Sequence, residues 1–237
     1  MADTANLGLP LVAANQAQKH ITVNTSFERL DAVAQMVLMS RVLTTPPLDP
    51  AQGSCYAVPS GASGDWAGQD GAVAMFLNGG WDFVVPYAGW RSWIADEAPT
   101  AVFDGQDWSA GALALSQSGA GPLWQVADID HVVSAGSTSL TMPFIPGGAL
   151  VHAVTGIVLS DVAAPTATFS VGVQGVSVDR YGAGIGSQSG SWLRGLTPSA
   201  VAYYADTGLS LSSQNGDFTG GTVRLVAHYM EFTLPRI

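Results

Sequence analysis

Short apolar runs, alternating inside and separated by turn residues, recur from residue 53 to the end of the chain. Between Gly53 and Trp108 the runs are Cys55–Val58, Ala72–Leu77, Trp81–Val85, Trp90–Ile94 and Thr100–Phe103. Ser-Gly, Gly-Gly, Asp-Gly and Pro stand between them, residues whose backbone freedom or restriction makes tight turns. Val73, Met75 and Leu77 alternate with smaller neighbours, as on a half-buried strand. The pattern predicts a compact antiparallel meander of about five strands. From Leu123 onward glycine, serine and β-branched residues take over. Phe169, Val171 and Val173 alternate with Ser170, Gly172 and Gln174, and Leu140, Met142 and Phe144 repeat the pattern before the Pro146-Gly147-Gly148 turn. Leu150–Leu159 and Thr222–Leu234 are apolar on both faces, as central strands are. Val201–Tyr204 and Leu209–Ser212 read as short strands before a turn at Gln214–Gly221. Roughly seven or eight strands at this spacing predict an antiparallel sandwich of the jelly-roll kind.

The N-terminal region has a different period. Residues 1–23 lack periodicity, and the amide-rich run Asn15–His20 suggests an extended arm that docks on a neighbour. Thr25 with Glu28 three residues later has the spacing of a capping box. Phe27, Leu30, Val33 (or Ala34) and Val37 then recur at helical spacing, with Asp31 in the first turns, and the helix gives way to the β-prone Val37–Leu43. Thr44–Pro50, TTPPLDP, is a stiff extended linker, because each proline fixes φ and removes a donor. The expected fold is therefore mainly β. An N-terminal arm and one short helix (1–45) precede a small Trp/Gly-rich antiparallel β domain (46–110). A linker (111–124) leads to a C-terminal jelly-roll-like β-sandwich (125–237).

Five of the seven tryptophans lie in the central block: Trp66, Trp81, Trp90, Trp93 and Trp108. Large aromatics are the means by which a small domain builds a core; Trp81 and Trp93 are expected there, and they stand with Trp66 and Trp90 as the four candidate binding residues. Trp66 follows Asp65 and Trp90 follows Gly89, turn positions at which a ring is hard to bury. They are the expected anchors of an interaction surface, able to stack on a sugar ring or fill a pocket on a partner. The competing expectation is that both rings close the ends of the small core.

Composition narrows the function. Only 11% of the 237 residues are charged while 47% are hydrophobic, a balance suited to an assembly or to tightly packed sheets. The net charge is −10 and Lys19 is the sole lysine, so there is no basic stripe for nucleic acid. Cys55 is the only cysteine; intrachain disulfides are excluded, folding in a reducing compartment is expected, and the thiol is read as buried and inert. Leu7–Ala14 is apolar but follows Asp3 and no basic residue, so no signal peptide is expected. Ala149–Leu159 is too short to span a bilayer, and no membrane insertion is expected.

Catalytic patterns fail one by one. GSQSG at 186–190 puts Gln188 where a nucleophile elbow needs serine, and the glycines of 181–186 miss dinucleotide-binding spacing. Asp128, Asp130 and His131 have ligating chemistry, but in a strand the two aspartates share a face and His131 points away. His152 and His228 fall on predicted central strands and read as satisfied core residues. Asp179 and Asp206 are the candidates for a glycosidase pair. The expectation is no catalytic residues, no metal and no cofactor.

The phrases GDWAGQDGAVAMFLNGGWDFVVPYAGWRSW and FDGQDW, preceded by LPLVAANQAQKHITVNTSFERLDAVAQ, resemble a domain of otherwise undefined function. That domain recurs in tail-fibre and head-spike proteins of bacteriophages and of gene transfer agents, the phage-like particles of some bacteria. The resemblance covers roughly residues 7–108, with a looser likeness in GDFTGGTVRLVAHY, and points most towards gene-transfer-agent head spikes. It implies a virion protein on the exterior of a particle, made in the bacterial cytoplasm. Its implied role is a capsid-vertex head spike, or its base, that attaches to the host surface or carries a distal fibre. Implied partners are the capsid protein at the vertex, other head-spike or fibre proteins and host capsular polysaccharide. Particle symmetry suggests a homo-oligomer, a pentamer or a trimer. The alternatives are a capsule-degrading hydrolase on the same particle and a sugar-binding module.

Overall fold

In the computed structural model, which describes residues 3–12 and 19–237, the chain forms two units. One holds the described residues up to Gly121 together with Leu234–Ile237; the other is Pro122–Thr233. The first contains α1 (Lys19–Ala34), β1 (Val37–Leu38), β2 (Cys55–Ala57), a 3-10 turn (Gly64–Trp66), β3 (Val73–Leu77), β4 (Gly80–Val84), β5 (Arg91–Ile94), β6 (Thr100–Phe103) and β7 (Trp108–Ala110).

These strands make one seven-stranded sheet, ordered β4-β3-β2-β1-β5-β6-β7. The order is no simple meander. β1 sits in the middle and pairs in parallel with β2 on one side and β5 on the other. Met39 N donates to Cys55 O (2.8 Å) and Ala57 N to Ser40 O (3.0 Å), while Trp93 N donates to Met36 O (3.1 Å) and Ala95 N to Leu38 O (2.8 Å). The N-terminal region is thus part of the sheet, and the boundary expected near residue 45 is absent. The proline loop that follows folds back: Ser63 N donates to Thr44 O at 2.9 Å. Prolines stopped helix and strand here without separating domains.

The helix also departs from its expected frame. Its described part runs from Lys19, so Thr25 lies inside it and its hydroxyl donates back to Ile21 O (2.9 Å) rather than capping an end. Its inward face carries acids. Glu28 accepts from Asn78 Nδ2 (2.6 Å), and the buried Asp31 accepts from Thr4 Oγ1 (2.7 Å), Asn6 N (2.8 Å) and Leu7 N (2.6 Å). Leu30, expected inside, is exposed. The described part of the arm therefore docks on its own helix; Asn15–Gln18 lies outside the described residues. Burial pushes the Asp31 carboxyl up, but donation from Thr4, Asn6 and Leu7 outweighs it and the carboxyl sits below its ordinary value.

One face of the sheet packs Leu38, Cys55, Val73, Met75, Ile94 and Phe103 under Ala32 and Met36. On the opposite face Tyr56, Val58 and Ala74 pack with Trp66, against half-buried Trp81 and Phe83. Trp66 is wholly buried, its ring 5.4 Å from Tyr56 and 5.2 Å from Trp81.

The second unit contains β8 (Pro122–Val132), β9 (Thr138–Leu140), β10 (Leu150–Ser160), β11 (Thr168–Val173), β12 (Ser177–Gly186), β13 (Trp192–Ala202), β14 (Ser210–Gln214) and β15 (Thr222–Phe232). They form two antiparallel sheets, β13-β10-β15-β8 and β12-β11-β14-β9. This is the strand order of a jelly roll. Between the sheets lie Val151, Val154, Phe169, Val171, Leu211 and Leu225. β10 and β15, apolar on both faces, are central as their sequence predicts. At β9 the faces are reversed from expectation: Leu140 and Met142 are exposed, and Ser139 and Thr141 are buried. Hydrogen bonds make that inward polarity tolerable. Ser139 Oγ shares one with His131 Nε2 (2.7 Å) and accepts from Ser134 N (2.8 Å); Thr141 Oγ1 accepts from Leu209 N (2.9 Å). Gly195 lies where a Cβ would overlap the Tyr181 carbonyl, so β12 crosses hard against β13. The first residue of β8 and the last of β15, Pro122 and Phe232, are register partners.

Two outcomes are expected. Asp31→Ala orphans one hydroxyl and two amide donors and should lower unfolding stability by about 2–3 kcal/mol in urea titration at pH 7. Because the Asp31 carboxyl is depressed on folding, its contribution is present above its ordinary value of 3.8 and fades as pH falls below it. The stability difference between the protein and Asp31→Asn should accordingly shrink in acid; an unchanged difference would contradict the assignment. Trp66→Ala should cost about 3–5 kcal/mol, with Trp66→Phe much milder, since the indole Nε1 has no acceptor among the described residues.

Candidate interaction surface

The tryptophans of the central block divide by which sheet face they take and what covers it. Trp66, expected as an exposed anchor, is core. The chain from Ser63 to Trp66 turns back over the sheet, and hydrogen bonds between Val58 and the 71–72 segment (2.9 Å each) hold that loop down. A turn residue can be buried when the whole turn is folded onto a sheet. Trp81 is half-buried, edge-on to Trp66, Tyr56 and Phe76. Trp90, the second expected anchor, is also half-buried; it packs on the helix-covered core and lies 6.2 Å from Tyr87.

Trp93, expected in the core, is 46% exposed. Along β5 the residues Ser92 and Ile94 point inward, so Trp93 points to the other face, beyond the part that Trp66 covers. Val37 is its register partner on β1, and Val37 and Met39 are exposed beside it. Arg91 precedes it on the same face, opposite half-buried Val102. The result is an open apolar patch with an aromatic centre and a cationic edge. A groove of about 380 Å³ adjoins it, lined by Arg91, Val102, Phe103, Asp104, Leu113 and Leu115 among others.

The FDGQDW phrase proves to be scaffolding. Asp104 Oδ1 accepts from Gln106 N and Asp107 N, both at 2.9 Å, closing the β6–β7 turn. Arg236 then reaches Gln106 Oε1 (2.9 Å), Asp107 Oδ2 (3.0 Å) and the carboxylate of Asp104, tying the last residues to this hairpin. Burial pushes Asp104 up, but the two amides and Arg236 hold its carboxyl below the usual range.

The remaining candidates for chemistry are dispersed. Asp128 and Asp130 share the outer face of β8 while His131 is buried behind them. Asp130 takes both branches of Arg224 at 2.6 Å, and burial pushes the His131 imidazole down, towards its neutral form. Asp179 accepts from Ser177 Oγ (3.1 Å) on β12, and Asp206 accepts from Gly147 N (3.0 Å) in the loop after β13. His228 shares a hydrogen bond with Thr155 (2.9 Å). Cys55 is buried and its thiol is pushed up to about 12, by burial first and the charge of Asp31 second. Among the described residues no three His, Cys, Asp or Glu gather as a metal site would require, and no helix is long and apolar enough to cross a membrane.

Sequence reasoning missed the outer face of the β13-β10-β15-β8 sheet. Trp124, Val126 and Val132 on β8 and Trp192 and Leu196 on β13 all point outward and are exposed. Period two was visible there, but both alternating sets contain apolar residues, so the buried set was not identifiable.

Residues 23–109 match the model of a family described as protein of unknown function (DUF2793). That span runs from the second turn of α1 through almost all of the seven-stranded sheet. No curated protein matches the chain. Among solved structures, a chain from the "Cyanophage Pam1 capsid asymmetric unit" is 22% identical with a TM-score of 0.37, the alignment covering 47% of this chain and 86% of that one.

Proposed function

We propose that this protein is a structural and adhesive component of a phage-like particle, a head spike or its base on the exterior of the capsid vertex. One observation carries the reading. The block whose phrases resemble the phage and gene-transfer-agent domain is the block that folds as a single sheet with an open face around Trp93, Val37 and Met39. An exposed apolar face with an arginine at its edge suits seating on a protein or stacking against a sugar ring. In this reading one unit holds the capsid protein or a spike partner, and the other presents a surface to host capsular polysaccharide or carries a distal fibre.

The reading is tested on particles. Antibody labelling of intact particles should mark sites at the vertices, and the purified protein should release no reducing sugar from host capsule. Release that Asp179→Asn or Asp206→Asn abolishes would make it a hydrolase instead. Trp93→Ala should change stability by less than about 1 kcal/mol, because the ring is half in water. The same substitution should cut incorporation into particles by about tenfold or more, the loss typical of an aromatic anchor. Normal incorporation by a stable Trp93→Ala protein would remove this face from the assembly.

A further inference from the structure

The outer face of the β13-β10-β15-β8 sheet has charges that match its own two edges. Register pairing sets Asp128, Val226, Thr155 and Arg194 in one outward row from β8 to β13. In the next row Val126 stands on the β8 side and Leu196 on the β13 side. Val126 is 64% and Leu196 70% exposed. Asp130 is already paired with Arg224, whose charge also reaches Asp128 without pairing with it, and neither Asp128 nor Arg194 takes part in an ion pair among the described residues. Arg194 rests against the Trp192 ring, 5.8 Å from its centroid.

We infer that this face is where two copies of the chain meet, Asp128 of each copy against Arg194 of the other. A two-fold axis running parallel to the strands, between two facing sheets, carries β8 of one copy over β13 of the other without shifting the rows. Each Asp128 then faces an Arg194, and each Val126 faces a Leu196, twice over. Facing sheets pack about 10 Å apart, a gap that an aspartate and an arginine span together. Size agrees with the matching. The four strands have 11 residues each. At about 4.8 Å between strands and 3.3 Å per residue the face measures roughly 19 by 36 Å. Two of them bury on the order of 1,400 Å², at the low end of the stable-interface range. Pairing by edges fits less well. β12 crosses against β13, and β8 against β8 would bring like charges together. The inference is independent of whether the protein belongs to a particle.

The test uses the full chain at up to about 100 μM, followed by sedimentation and native mass measurement, with circular dichroism to confirm folding. A dimer is expected. Asp128→Arg and Arg194→Glu should each weaken it by about tenfold or more, and the double variant should restore it. A short bismaleimide should cross-link the Val126→Cys/Leu196→Cys protein between chains, since sheets about 10 Å apart leave facing cysteines beyond direct disulfide reach; Cys55 is buried and does not compete. A monomer at the highest concentration overturns the inference, as does a trimer or pentamer, the copy numbers that particle symmetry suggests. A dimer indifferent to both charge reversals overturns it as well.

Discussion

Five residues, Met36 to Ser40, supply backbone partners to both halves of the first unit's sheet. Without them the β2-β3-β4 group and the β5-β6-β7 group are two separate three-stranded pieces, each too small to bury its face. Leu38 fills the middle of the core and is wholly buried. Ser92 Oγ accepts from Leu38 N at 3.1 Å, so the one donor that faces a side chain is satisfied too. Both halves are ordered by a strand that precedes them in sequence. The closure is non-local on each side, so neither group completes its core without Met36 to Ser40.

The polar groups inside both units follow a common rule. Asp31 takes three donors from the arm, Glu28 takes Asn78, and Ser139 bonds to both His131 and Ser134. Each sits where a purely apolar pattern would place a leucine. Asp31 and Glu28 join elements far apart in sequence, while Ser139 closes the turn between β8 and β9, and each does so with a directional preference that an apolar contact lacks. Tyr181 and Tyr203 make a similar hydroxyl link of 2.7 Å inside the jelly roll.

Those polar substitutions explain what the sequence did and did not disclose. Most strand positions were legible because alternation and turn residues agree; Thr100–Phe103 was legible to the residue. β10 and β15 were recognisable as central because both of their faces are apolar. The helix frame was misread because Thr25 and Glu28 have the spacing of a cap, whereas one hydroxyl bonds back within the helix and the carboxylate is held by Asn78. β9 was read on the wrong face because Ser139 and Thr141 point inward. Trp66 and Trp93 exchanged their expected places for a different reason. Burial of a turn residue depends on where the turn folds, and exposure of a strand residue depends on whether anything covers its face. Neither is encoded within a few residues of the ring.

Pro122 and Phe232 lie side by side at the two ends of the jelly roll, and the chain passes between units only at those ends. In antiparallel pairing such partners are about 5 Å apart at Cα, close to a single peptide step. The sandwich is therefore a cassette. Removing 122–233 would leave Gly121 and Leu234 within the span of a short join, with the seven-stranded sheet and the Arg236 tie intact. A lineage that needs a different module in its place can exchange the cassette at this one junction without redesigning the seven-stranded sheet.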